Sequence, residues 1–233
     1  MKKVNIKNFD LLSPKFERGN IKLGLSRIKK ALRELQDPCK NIPAIQIVGT
    51  NGKGSITAFI ENILFVEKKN IGVTTSPHLF DISERIRVNK KNINKIDFER
   101  LFKKLENNLS NYKLSPFELI ICCALKFFDS QKVDLLILEA GLGGRLDATS
   151  AHQLRPIVAI GNIGLDHKEY LGDSIEKIAK EKVAVIEKDS FVISYRQNIQ
   201  VEEIIKKRVK EVGAKIIWKV SLSNKYELGL KES

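Results

Sequence analysis

Lys53 stands among three glycines in Gly49-Thr50-Asn51-Gly52-Lys53-Gly54-Ser55, directly after the apolar run Ile45 to Val48. An apolar strand that enters a glycine-rich turn and then a helix aims backbone N–H groups at an anion, and the helix dipole and a lysine add to the attraction. The chemistry this suits is phosphate binding. The spacing departs from the common pattern, which puts four residues between the first glycine and a Gly-Lys-Ser/Thr triplet. Here only Thr50 and Asn51 separate Gly49 from Gly52-Lys53, and Gly54 precedes Ser55. Taken alone, the segment also reads as a tight strand-to-helix turn.

Three further groups follow apolar runs and could hold a hard cation beside a phosphate: Ser76, Glu139 and His167. Oxygen ligands with one imidazole suit magnesium better than zinc. Each also has a plainer reading, with Ser76-Pro77 as a turn, Glu139 paired with Arg145, and His167 as a loop histidine. Lys182 falls inside the apolar stripe Ile175, Ile178, Ala179, Val183 and Ile186 on a helical wheel, behind a start, Asp173-Ser174-Ile175-Glu176, that resembles a capping box. Burial there would lower its pKa and free a nucleophilic amine, unless the lysine snorkels. Carbamylation by carbon dioxide would turn this buried cation into an anion able to orient a magnesium site. Ser115-Pro116-Phe117-Glu118 opens an apolar helix, and Phe117 with Glu118 could face a ring-bearing substrate. Alternatively, Glu118 only favours the helix dipole.

The elements that must position these groups alternate. Strands are expected at Ile45 to Val48, Ile71 to Thr75, Leu135 to Glu139, Ile157 to Ile160, Phe191 to Ser194 and Lys215 to Trp218, with helices at Ser55 to Lys69, Asp97 to Leu109, Pro116 to Ser130, Ser174 to Lys188 and Val201 to Val212. Near-continuous apolar strands alternating with helices give an α/β fold, a mostly parallel sheet covered by helices on both faces. Ligands in such sheets gather at the carboxyl ends of the strands, where the groups above lie. The end, Asn224 to Ser233, reads as extended without a closing element.

The 233 residues, 42% of them hydrophobic, are enough for a globular core. The net charge of +13, from 41 Lys+Arg against 28 Asp+Glu, is scattered along helix faces with no aromatic-interleaved basic stripe. No nucleic-acid or membrane partner is therefore expected. Cys39, Cys122 and Cys123 lack metal spacing, and the last two lie in an apolar run, as buried reduced thiols do. No apolar stretch reaches the roughly 18 residues of a membrane span, and Met1-Lys2-Lys3-Val4-Asn5 lacks a signal-peptide core, so a cytoplasmic location is expected.

Taken in order, several segments resemble the folylpolyglutamate synthase and dihydrofolate synthase family of the Mur ligase superfamily. They are Gly49 to Ser55, Thr75-Ser76-Pro77-His78-Leu79 with Ser83 to Asn89, Phe117-Glu118, Glu139 to Thr149, Gly164-Leu165-Asp166-His167, Leu171-Gly172 and Ile178 to Lys182. The resemblance runs from about Leu23 to Lys188, and its shorter ATP loop answers the spacing problem. It implies a P-loop NTPase-like Mur ligase central domain. It also implies ATP- and magnesium-dependent joining of L-glutamate to dihydropteroate or a folate through an acyl phosphate.

By matched position, Gly49, Thr50, Asn51, Gly52, Lys53, Gly54 and Ser55 would bind ATP. Ser76, Glu139 and His167 would bind magnesium, and Lys53, Lys182 (carbamylated) and His167 would be catalytic. Ser76, Pro77, His78, Arg85, Ser115, Phe117 and Glu118 would border the acid substrate. Ser115-Pro116, Ser150 and Val183-Ala184 depart from the family pattern. The resemblance also implies a C-terminal glutamate-ligase domain that is not expected within residues 1–233. The chain is therefore expected to be a truncated form that binds Mg-ATP weakly and turns over little substrate, as a monomer or with a complementing C-terminal fragment. A non-catalytic nucleotide-binding fragment and a Mur-type ligase of cell-wall precursors remain the alternatives.

Overall fold

Strands β1 (Ala44–Val48) and β2 (Ile71–Thr74) are buried along their whole length. Strands β5 (Leu135–Glu139) and β6 (Ile157–Ile160) are buried in all but their first residue. Strands apolar on both sides need a cover on both faces, which a parallel sheet wrapped in helices supplies. The computed structural model describes residues 23–219, so the expected extended run from Asn224 to Ser233 lies outside the described residues.

Among the described residues the sheet has eight strands in the order β4-β3-β2-β5-β1-β6-β7-β8, with β7 at Phe191–Tyr195 and β8 at Lys215–Lys219. From β2 to β8 every neighbouring pair is parallel. The edge made by β3 (Ile86–Val88) and β4 (Lys91–Asn92) is antiparallel. This edge was not expected, since strands of three and two residues in a polar stretch leave no alternation to read.

One face of the sheet carries α1 (Ser26–Glu34), α3 (Lys95–Asn108) and α4 (Pro116–Ser130), packed through Ile28, Phe98, Phe102, Ile120, Phe128 and Leu136. Beside them α6 (Ile175–Val183) and α7 (Ile199–Val212) pack Ile178, Val183 and Ile205 against Val158 and Val192. The opposite face carries α2 (Lys53–Val66), whose Ile56, Ile60 and Leu64 cover Ile45, Ile47, Val73 and Ile137. Phe191, Ile193, Tyr195 and Ile217 extend this second face and are exposed. Among the described residues no helix is long and apolar enough to cross a membrane.

Two expectations on helices need correction. The helix expected over Ser174 to Lys188 ends at Val183, and the chain then turns, with Ile186 still buried in the stripe. Ser174 caps that helix by accepting from the Lys177 N–H, but Lys177 stands where a capping box needs Glu or Gln, so only half of the box forms.

Candidate active site

The parallel strands β2, β5, β1 and β6 are consecutive in the sheet, so their carboxyl ends share one edge. Onto that edge they deliver Ser76, Glu139, the Gly49 loop and the Gly161–His167 loop, four segments distant in sequence.

The Gly49 loop is fixed by its neighbour. Thr50 and Asn51 donate their N–H groups to the Asn162 carbonyl at 2.5 and 3.3 Å, and the Thr50 hydroxyl donates to Gly164 O at 3.0 Å and accepts from Gly164 N at 3.1 Å. The approach is close, since a Cβ on Gly161 would stand 2.8 Å from Asn51 O. Gly52 is the N-cap of α2 at φ 81°, a left-handed conformation suited to glycine, and no side chain caps the helix. The first N–H groups of α2 thus lack intrahelical or side-chain acceptors, which is the arrangement that receives anions. The Lys53 ammonium donates to Gly49 O and Thr50 O, both at 3.1 Å, so it sits on the loop it opens.

Glu139 is 3% exposed. It is approached by the Thr57 hydroxyl at 3.5 Å and by the Ser76 backbone N–H. Burial pushes its carboxyl up to about 7, against the pull of Lys53, those two hydrogen bonds and Arg87. A buried carboxylate with so few donors has the character of a cation ligand. It is not paired with Arg145, whose guanidinium binds Glu181 at 2.7 Å.

Lys182 is 3% exposed, so it does not snorkel, and its amine donates to Gly49 O at 2.9 Å. Burial and the nearby Lys53 charge bring it down to about 8, with Asp166 and Asp147 opposing. His167 caps the short α5 (Lys168–Leu171) at φ 47°, and its Nε2 is turned to Asp166 Oδ2 at 3.4 Å. The structure therefore brings Ser76, Glu139, Lys53 and Lys182 around the loop, while the His167 ring engages its own neighbour.

A second wall is built by the start of α4. Ser115 and Glu118 form a full capping box, with Ser115 N donating to Glu118 Oε2 at 2.7 Å and Glu118 N donating to Ser115 Oγ at 3.3 Å. Arg27 Nε also donates to Glu118 Oε2 at 3.2 Å, while the buried Oε1 has no hydrogen-bond partner. Phe117 packs on the loop after β5, since a Cβ on Gly141 would lie 2.8 Å from its ring. From β2 the chain passes a cis Ser76-Pro77 bond to His78, whose Nδ1 accepts from Arg85 Nε at 2.9 Å. Burial and then the Arg85 charge hold that imidazole below its ordinary value. Glu84 accepts from the N–H groups of Leu79, Phe80 and Asp81, shaping a loop whose Leu79 and Phe80 are exposed.

Sequence reasoning missed several supports. Asp147, within the Glu139 to Thr149 segment, is buried and accepts from Gly141 N and Leu142 N, both at 2.9 Å, and from Thr149 N at 2.9 Å. It thereby folds the loop that follows Glu139. Thr57 lies one helical turn after Lys53, a spacing that places it beneath the Gly49 loop. Arg27 and Gln197 carried no sequence signal at all.

The sequence pattern of the Mur ligase middle domain matches residues 47–232. The chain belongs to that family. It is similar to dihydrofolate synthetase of Saccharomyces cerevisiae, at 35% identity over 202 residues, 84% of this chain and 47% of that protein. It is also similar to dihydrofolate synthase/folylpolyglutamate synthase of Bacillus subtilis, at 37% identity over 174 residues, 71% of this chain and 40% of that one. Among solved structures, the Mur ligase fold seen here superposes on E. coli FolC in complex with DHPP and ADP with a TM-score of 0.82 at 30% identity, covering 90% of this chain and 50% of that chain. A bifunctional folylpolyglutamate synthase/dihydrofolate synthase with Mn, AMPPNP and L-glutamate bound gives 0.80 at 30% identity, covering 90% of this chain and 51% of that chain. The chain thus spans about half the length of the relatives it matches.

Proposed function

We propose that this chain carries the nucleotide-binding and acid-activating part of a ligase that joins L-glutamate to dihydropteroate or a folylpolyglutamate, at the cost of ATP. The observation that carries the reading is a meeting of four groups at neighbouring strand ends. These are an uncapped glycine-rich helix start, Lys53 at its first position, the buried Glu139 and Lys182 on the Gly49 carbonyl. Relatives named for this reaction, and neighbours bound to ADP, AMPPNP, Mn and L-glutamate, support it. Residues 1–233 belong in this reading to the ATP-binding domain, and glutamate is handled by a part of the ligase other than these residues.

The residues divide the work. The amides of Gly52 to Ser55 and Lys53 cradle the nucleotide phosphates, Lys53 leaving its loop carbonyls to do so. Ser76, Glu139 and His167 would hold magnesium, which when bound offsets phosphate charge; the donor-poor carboxylate of Glu139 fits that ion. Carbamylated Lys182 would add an anion that orients the same site, its remaining N–H still able to donate to Gly49 O. Phe117, Glu118, Ser115, His78, Pro77 and Arg85 border the acid substrate. A carboxylate oxygen of that substrate attacks the γ-phosphorus, and the bond to the β–γ bridging oxygen breaks to release ADP. The glutamate amine then attacks the acyl carbon and phosphate departs, the amine proton passing to solvent. Positioning two anions against one another is the main task of the protein.

Equilibrium dialysis of dihydropteroate in the presence of a non-hydrolysable ATP analogue tests the reading. It expects dihydropteroate uptake that Phe117→Ala abolishes. A chain that binds nucleotide but takes up neither dihydropteroate nor folate would contradict the substrate assignment.

A further inference from the structure

Gln197 lies between β7 and α7, and the ligase reading gives it no role. Its side-chain amide spans both ends of Gly161-Asn162-Ile163. Oε1 accepts from the Ile163 N–H at 3.0 Å, and Nε2 donates to Gly161 O at 3.3 Å and to Ser194 Oγ at 3.0 Å. It thus stands in for a strand partner just beyond the end of β6, where the ladder with β7 has stopped at Ile160. Gln197 is itself anchored, since its backbone N–H donates to Glu202 Oε1 at 3.0 Å, and Arg196 holds the other oxygen of that carboxylate at 2.9 Å.

The opposite side of the same tripeptide meets the phosphate loop. Asn162 O receives the N–H groups of both Thr50 and Asn51, and Gly164 exchanges two bonds with the Thr50 hydroxyl. The amides of Thr50 and Asn51 are therefore engaged, and those that follow, from Gly52 to Ser55, are the ones presented to an anion. Where they point depends on where Asn162 O stands, and Gln197 sets that position from behind.

We infer that Gln197 is a positioning residue for the phosphate loop, holding Gly161 to Ile163 so that Asn162 fixes Thr50 and Asn51 and aims the next amides at bound phosphate. The last step rests on the ATP reading above; the clamp itself does not.

The test combines amide hydrogen exchange of the full chain without ligand, followed by NMR, with Mg-ATP calorimetry on wild type, Gln197→Met and Gln197→Glu. Gln197→Met keeps the bulk and loses all three side-chain bonds, so exchange at Ile163, Thr50 and Asn51 is expected to rise about tenfold, the scale of one net hydrogen bond. Ile47 and Ala159 in the sheet keep their rates, and Mg-ATP affinity falls by a similar factor. Gln197→Glu keeps the acceptor for Ile163 and loses the donor to Gly161 O and Ser194 Oγ, so it falls between. A uniform rise across the sheet, or unchanged exchange at Thr50 and Asn51 in either variant, overturns the inference. If wild type binds no ATP while the loop amides respond as expected, the clamp stands and the nucleotide reading falls.

Discussion

Glu139 and Lys182 are both buried beside the loop, and burial moves them in opposite directions, the carboxyl up to about 7 and the amine down to about 8. For Glu139 the folded state binds its proton more tightly than the unfolded chain does. Without a divalent cation, stability should therefore fall as pH rises from the ordinary carboxylate range to about 7. A cation binds only the ionised form, so magnesium should restore stability at pH 8 and do little at pH 5. Thermal unfolding with and without magnesium reads this directly, and in Glu139→Gln the magnesium effect should vanish; a magnesium effect larger at pH 5 would reverse the assignment. For Lys182, a pKa near 8 leaves a useful fraction of neutral amine in carbonated buffer. Native mass spectrometry should then show an increment of roughly 44 Da, the size of a carbamate on such an amine, that Lys182→Met removes. Lys182 was legible because one charge fell inside an apolar stripe. Asp147 was not, because its hydrogen bonds to Gly141 and Leu142 depend on a turn that only the folded loop reveals.

At the scale of elements, strands buried on both faces announced themselves by near-continuous apolar runs, and β5 and β6 fell where expected. What stayed hidden was short or polar. The β3 and β4 edge is made of three and two residues, and α1 buries only Ile28, Ala31 and Leu32 in a basic helix. The packing of loop on loop was equally hidden, since nothing in Gly49 or Gly161 says that they touch. Their contact supplies a sharp prediction. In Gly161→Ala the new methyl meets Asn51 O at 2.8 Å, so either the phosphate loop or β6 must shift. A cost of about 1–3 kcal/mol in stability is expected from such overpacking. Because the strained contact is the loop's own, Mg-ATP affinity should drop further than stability does. Denaturant unfolding beside calorimetry checks this, and an Ala variant that binds nucleotide normally would show that the loop is not held by β6.

Over the whole molecule, the sheet order does what the sequence order cannot. Ser76, Glu139, Gly49 and His167 are spread along the chain, and the sequence of strands β2-β5-β1-β6 sets their segments side by side at one edge. Linear reading named these residues by type and by resemblance, but their mutual geometry had to wait for the crossovers. In the folded chain His167 faces Asp166, whereas the linear reading set it beside Ser76 and Glu139. We take this edge to be a magnesium-dependent ATP site with Lys53 and Glu139 at its heart. Calorimetric titration of the full chain with ATP, with and without magnesium, on wild type, Lys53→Ala and Glu139→Ala tests it most directly. Magnesium-dependent binding is expected in wild type and should be weakened at least tenfold in both variants while each stays folded, on the scale of a charge-assisted contact. Binding that ignores magnesium, or that survives the loss of Lys53, would contradict it.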